Sequence, residues 1–213
     1  MPARLRPTAP IAAEAILVGD PGRALMLAQE LLRQPKMSNH ARGLWGYGGE
    51  TEAGAELTIQ STGMGGPSAT VVLHDLAELG VRRAVRVGTC TALGDFELGD
   101  LVVVTAAQAE GKAMATPDPR LTEALRNELG DEGRAAAVVS LDVLHRHAAD
   151  VDVAGEVADM QTAALLAAAA KLEVRVAALL IVAETEEGRS LGDEDLEGAA
   201  KRAGTAAAAI LSP

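Results

Sequence analysis

The amino-acid sequence predicts an α/β fold. Short runs of Ala, Val, Leu and Ile alternate with segments whose apolar residues recur at helical spacing. Glycines and prolines fall between them, and no internal repeat or Pro/Ser-rich linker divides the chain. One domain over residues 1–213 is expected, large enough to bury roughly 70% of its unfolded surface.

Residues 15–18 read as a buried strand. Asp20 is placed to cap the helix that follows, with Pro21 at its first position, and Leu25, Ala28 and Leu32 then share a face. Residues 43–49 and 57–62 read as two strands joined by a Gly/Glu-rich turn. Gly63-Met64-Gly65-Gly66-Pro67 breaks the chain before a helix with the stripe Ala69, Val72, Leu73, Leu76 and Leu79, ended by Gly80. The next strand covers 84–87 and runs into Gly88-Thr89; another covers 101–105. A helix over 119–129 leads to a strand over 136–141. An Ala-rich helix over 160–172, a buried strand over 176–183 and a helix over 193–210 close the chain.

The protein is acidic, with 19 Lys+Arg against 30 Asp+Glu and a formal charge of −11. That balance disfavours nucleic acid or an anionic membrane as partner. Cys90 is the single cysteine, so there is no disulfide framework and no Cys-based metal site. Residues 1–10 carry Arg4, Arg6 and three prolines with no apolar run behind them, which does not read as a signal peptide. The longest apolar stretch, 174–183, is interrupted by Arg175 and is about half a membrane span. A soluble cytoplasmic protein is expected. Trp45, Tyr47 and Phe96 are the only aromatics, so the core must be built from Ala, Leu and Val. Trp45 and Tyr47 share a face on a strand, where core or interface packing outweighs a stacking wall for a ligand.

Against this acidic background three arginines stand inside short glycine-bearing signatures: Gly19-Asp20-Pro21-Gly22-Arg23, Asn39-His40-Ala41-Arg42-Gly43 and Arg86-Val87-Gly88-Thr89-Cys90. Guanidinium groups gathered in one pocket suit a small oxyanion, because each offers a planar fork of donors. Gly19 ends a strand ahead of a capped helix, which aims backbone N–H groups and positive dipole at an anion. Arg86 lies within an apolar strand, where a cation must meet a carboxylate or a ligand. Both remain open at this point, and Thr89 offers a hydroxyl nearby.

These segments, with Gly63-Met64-Gly65-Gly66-Pro67-Ser68 and Asp159-Met160-Gln161, occur in the order and spacing of the nucleoside phosphorylase-I family, which the chain resembles over nearly its whole length. The resemblance implies a three-layer α/β/α domain with a mixed, partly barrel-like central sheet. It implies that Gly19, Arg23, Arg86 and Thr89 bind phosphate, and that Arg42 reaches the phosphate of a neighbouring subunit. A homo-oligomer follows, with a dimer as minimal unit and a hexamer built as a trimer of dimers. Met64, Met160 and Gln161 fall on the ribose side, and Cys90, Thr91, Leu144 and Asp159 on the base side. The implied reaction is attack of inorganic phosphate, the co-substrate, on C1′ of a ribonucleoside, with Arg86 and Glu184 as catalytic residues and no cofactor.

The sugar and base side departs from the family pattern. Gln161 replaces a glutamate that grips the ribose hydroxyls. Glu184, in Ala183-Glu184, stands where a Ser-Asp pair supplies the acid, with Glu186 and Glu187 close by. Ala3 aligns with a histidine that serves the neighbour's ribose, Leu144 with a base-stacking aromatic, and Thr91 with a glycine. His145 and His147 fall in the same neighbourhood. Three activities fit: an active phosphorylase, a phosphorylase-fold protein that binds phosphate or a phosphosugar beside an active paralogue, or a nucleosidase using water. The intact arginine set weighs against the last.

Overall fold

The structure, a computed structural model, describes residues 4–143 and 155–212. Ala3, Leu144, His145 and His147 lie outside them. The elements run β1 (Glu14–Val18), α1 (Pro21–Leu31), β2 (Arg33–Asn39), β3 (Gly46–Glu50), β4 (Glu56–Ser61), α2 (Gly65–Glu78), β5 (Arg83–Ala92), β6 (Leu101–Ala109) and α3 (Pro119–Leu129). Then follow β7 (Gly133–Ser140), β8 (Val157–Asp159), α4 (Thr162–Leu172), β9 (Arg175–Thr185) and α5 (Asp193–Leu211).

The strands form one sheet in the order β2-β3-β4-β1-β5-β8-β7-β6-β9, and β9 pairs again with β5. That second pairing closes β5, β8, β7, β6 and β9 into a barrel, from which β1, β4, β3 and β2 extend as an open wing. β4, β1, β5 and β9 are successively parallel. Parallel neighbours need crossovers, and helices supply them. α2 and α4 bury Ala69, Val72, Leu73, Leu165 and Leu166 in one core cluster. α1, α3 and α5 bury Leu27, Leu121, Leu125, Ala203 and Ala207 in the other. The architecture is three-layered with a mixed, partly closed sheet, and the scarcity of aromatics is met by small side chains at close range. A Cβ at Gly204 of α5, for instance, would stand 2.5 Å from Leu27 of α1.

Helix starts follow the local chemistry. Asp20 accepts from Arg23 N at 2.7 Å, and Asp118 accepts from the N–H groups of Arg120 and Leu121, each with Pro in the first turn. Other boundaries differ from expectation. β5 continues through Thr89 to Ala92, so Thr89 sits within the strand rather than past its end. α4 begins at Thr162, which leaves Met160 and Gln161 in the turn before it. Tyr47 is buried and Trp45 half-buried, both packed with the α1 side of the core. Among the described residues no helix is long and apolar enough to cross a membrane.

Candidate active site

A cavity of about 420 Å³ opens where β1, β4, β5 and β9 end. Ligands collect at such carboxyl ends because the helices that follow turn their N-termini, with unpaired N–H groups and positive dipole, toward the same space. Here the N-terminal segments of α1 and α2 line it, through Gly19, Asp20, Pro21 and Arg23 and through Gly63 to Gly65, together with the turn before α4. No side chain caps α2. At α4 the first N–H groups are already taken: Thr162 N by Asp159 and Ala163 N by Ser140 Oγ.

Arg86 is 4% exposed and meets a carboxylate inside the chain. Its Nη2 meets Asp159 Oδ2 at 2.9 Å, Nη1 donates to Gln161 Oε1 at 2.7 Å, and Nε donates to Thr162 Oγ1 at 3.0 Å. The carboxylate of Asp159 also accepts from Ser140 Oγ at 2.5 Å and from Thr162 Oγ1 at 2.5 Å. A charge pair removed from water needs this degree of satisfaction to be tolerated. The guanidinium lies back along its own strand over Gly88. A Cβ there would be 2.6 Å from Nη2 and 2.7 Å from Cζ, so the glycine is what gives Arg86 its place.

Arg86 carries five N–H donors, and the three contacts above leave two. Beside it, Arg23 is half-buried on the same cavity, and its guanidinium makes no ion pair among the described residues. Burial lowers its pKa below the usual arginine value; Asp20 opposes that shift and Arg86 adds to it by repulsion. Two like charges held together in a partly desolvated site, one of them without a counterion, are an incomplete electrostatic arrangement that an anion completes. Gly19 and Thr89 line the same space.

The far side is formed by Met64, Cys90, Thr91, Met160, Ala183 and Glu184, with no aromatic among the described lining residues. Glu184 owes its position to an irregularity: Cys90 pairs with Val182 but Thr91 with Glu184, so β9 carries an extra residue at Ala183. Such a bulge re-aims the side chains beside it, and it brings both Ala183 and Glu184 to the cavity. Its carboxylate makes no ion pair among the described residues. Cys90 is buried, and burial pushes its thiol pKa far up, with Asp159 adding and Arg86 opposing. It is an inert neighbour.

Two residues that the resemblance assigns to the base and ribose sides line the cavity and are also held by contacts within the chain. Asp159, placed on the base side, has a fully buried carboxylate engaged with Arg86, Ser140 and Thr162. Gln161, placed on the ribose side, is 4% exposed and hydrogen-bonded within the chain at both ends of its amide. Arg42 is exposed and does not line this protomer's cavity; it lies at φ 61°, ψ 19°, left-handed backbone that a non-glycine residue rarely adopts. Leu144 lies outside the described residues. Ser140, Thr162 and Gly88 had no individual sequence signal, although Thr162 directly follows one motif and Gly88 lies inside another.

A family model for the phosphorylase superfamily matches residues 14–213, and the chain belongs to that superfamily. Curated relatives agree. A DeoD-type purine nucleoside phosphorylase of Bacillus cereus is 30% identical over 194 residues, 82% of each chain. One of Oceanobacillus iheyensis is 36% identical over 104 residues, 48% of this chain and 44% of that protein, so this match takes in less than half of either. Among solved structures, purine nucleoside phosphorylase from Toxoplasma gondii in complex with immucillin-H superposes with a TM-score of 0.82 at 19% identity, covering 94% and 92% of the two chains. Uridine phosphorylase from Vibrio fischeri superposes at 0.81 with 21% identity, covering 94% and 91%. The last two establish the shared fold.

Proposed function

We propose that the protein is a nucleoside phosphorylase: inorganic phosphate attacks C1′ of a nucleoside, releasing the base and a pentose 1-phosphate. The observation that carries this reading is Arg23, a half-buried guanidinium with no ion pair among the described residues, beside Arg86 on one cavity. Gly19 and Thr89 add a backbone N–H and a hydroxyl to the same anion. Arg42, exposed on a strained turn, extends to the corresponding cavity of a second copy, so that a dimer is the smallest complete unit. A trimer of such dimers is the assembly the resemblance implies.

The chemistry follows from the placement. A phosphate oxygen forms the bond to C1′ as the C1′–N bond breaks, and that electron pair passes to the base. The sugar acquires oxocarbenium character, as in glycoside hydrolysis, and a fixed anion beside it both attacks and stabilises. Arg23 and Arg86 hold the anion in line, which supplies orientation as well as charge. Glu184, across the cavity, is the group through which a proton reaches the departing base. Met64 and Met160 pack on the sugar, and Cys90 and Thr91 border the base. The reaction needs no cofactor.

A second reading, phosphate binding without turnover, draws support from the engaged amide of Gln161 and the buried carboxylate of Asp159. One experiment separates them. The purified protein is incubated with inosine, adenosine, methylthioadenosine and uridine, with and without phosphate, and free base is measured. Phosphate-dependent release is expected. Release without phosphate would indicate a nucleosidase, and no release alongside a phosphate-raised melting temperature would leave only binding.

A further inference from the structure

The turn that carries Arg42 is gripped from inside by side-chain amides. Arg42 has φ 61° and Gly43 φ 71°, two left-handed residues in succession, and only the glycine enters that region without steric cost. A non-glycine residue stays there where its surroundings over-determine it. Backbone bonds supply part of that constraint, from Gly43 N to His40 O at 3.3 Å and from Leu44 N to Ala41 O at 3.1 Å.

Asn39, the last residue of β2, supplies more. Its side chain is fully buried, and its Nδ2 donates to Leu44 O and, at 3.4 Å, to Ala41 O. The two N–H groups of the amide thus hold carbonyls on either side of Arg42. Its Oδ1 accepts from Arg6 N at 2.8 Å, which fixes the end of the amide that faces the turn. Gln60 of β4, equally buried, donates from Nε2 to the same Leu44 carbonyl at 3.0 Å. A Cβ at Gly46 would collide with Gln60 Oε1 and Ser38 Oγ, so the glycine leaves Gln60 its place. Behind Asn39, residues 4–8 form a strap pinned at both ends. Arg4 N and Leu5 N donate to the buried Asp75 carboxylate of α2 at 3.0 and 2.9 Å, and Thr8 N donates to Ser38 O at 2.8 Å.

We propose that Asn39 is a positioning residue for phosphate. It touches no ligand and acts by holding the exposed Arg42 in the left-handed geometry from which its guanidinium serves a second copy's cavity. The proposal rests on the phosphorylase reading and deepens it by naming what sets that arginine. Without the Asn39 amide, Ala41 O loses its side-chain donor and Leu44 O one of two. Arg42 then relaxes toward the regions its Cβ prefers. A guanidinium on a turn that visits several conformations meets the anion in only a fraction of them, and apparent affinity falls by that fraction.

The test is a double-mutant cycle of Asn39→Ala with Arg42→Ala, read by calorimetric titration of inorganic phosphate and by urea denaturation. Asn39→Ala is expected to weaken phosphate binding about 3- to 10-fold, the worth of a hydrogen-bonded contact, and Arg42→Ala at least as much. In the Arg42→Ala background, Asn39→Ala is expected to cost stability as before and to take nothing further from phosphate affinity, because the side chain it positions is gone. In turnover, Asn39→Ala is expected to raise KM for phosphate more than KM for the nucleoside. Unchanged phosphate affinity in Asn39→Ala, or losses that add in the double variant, overturns the proposal. If Arg42→Ala binds phosphate as the wild type does, the proposal falls while the reading carried by Arg23 and Arg86 stands. If the wild type binds no phosphate, both fall. Should Asn39→Ala fail to fold, Gln60→Leu takes the other amide off Leu44 O, leaves the strap in place and is carried through the same cycle with the same outcomes.

Discussion

Replacing Arg86 with alanine is expected to destabilise the fold by about 3 kcal/mol and to abolish the response to phosphate. The first effect arises because Asp159 is left charged, buried and deprived of its counterion. Its remaining donors, from Ser140, Thr162 and two backbone N–H groups, hold the loss toward the lower end of what such a deletion costs. The second effect arises because Arg86 lines the cavity and keeps two N–H donors without a partner among the described residues. Adding Asp159→Asn to Arg86→Ala separates the two roles. The neutral pair is expected to recover most of the unfolding free energy, measured by urea denaturation, and to recover no phosphate-induced rise in melting temperature. A phosphate shift that survives Arg86→Ala would remove Arg86 from the anion site and leave it a purely structural cation.

Gly88→Ala is expected to act on the same group without touching its chemistry. The new Cβ would lie 2.6 Å from Arg86 Nη2 and 3.0 Å from Leu180 Cδ2, so the guanidinium must leave its seat. Overpacking of this kind costs about 1–3 kcal/mol, and the displaced Arg86 also surrenders its contacts with Asp159 and Gln161. Phosphate affinity is expected to fall together with stability. In an Arg86→Ala background there is less to collide with, and Gly88→Ala is expected to cost much less. That non-additivity is the signature of a shared contact. Additive effects in the double-mutant cycle would mean that Gly88 matters through Leu180 or the strand backbone.

The sequence disclosed the fold where local chemistry is strong. Asp20-Pro21 announces the start of α1 by capping, and the apolar runs at 15–18 and 176–183 read as the buried strands they are. β2 escaped notice because it is an edge strand with Pro35 and Lys36 in it, and it carries no apolar alternation to read. β8 is three residues long, and its pairing with β5 and β7 is a tertiary event. The barrel closure through β5 and β9 has no local trace either; it entered only by resemblance. At the site, the arginine-bearing motifs marked Arg23 and Arg86 because a cation in a glycine-rich turn or an apolar strand demands an explanation. The inward turn of Gln161 was not legible, since it depends on carbonyls at Gly63 and Gly65 about a hundred residues earlier in the chain. The bulge that presents Glu184 was hidden for the same reason, being a matter of register between two strands.

The Arg23 guanidinium faces the cavity with no ion pair among the described residues, and calorimetric titration of inorganic phosphate into wild-type protein and Arg23→Ala tests its role most directly. Among the described residues the Arg23 guanidinium makes no ion pair, so its removal is expected to leave phosphate-free unfolding nearly unchanged while weakening phosphate binding about 10- to 100-fold, the range for one charge-assisted contact. Equal phosphate affinity in the two proteins, or no heat of binding in the wild type, would contradict it.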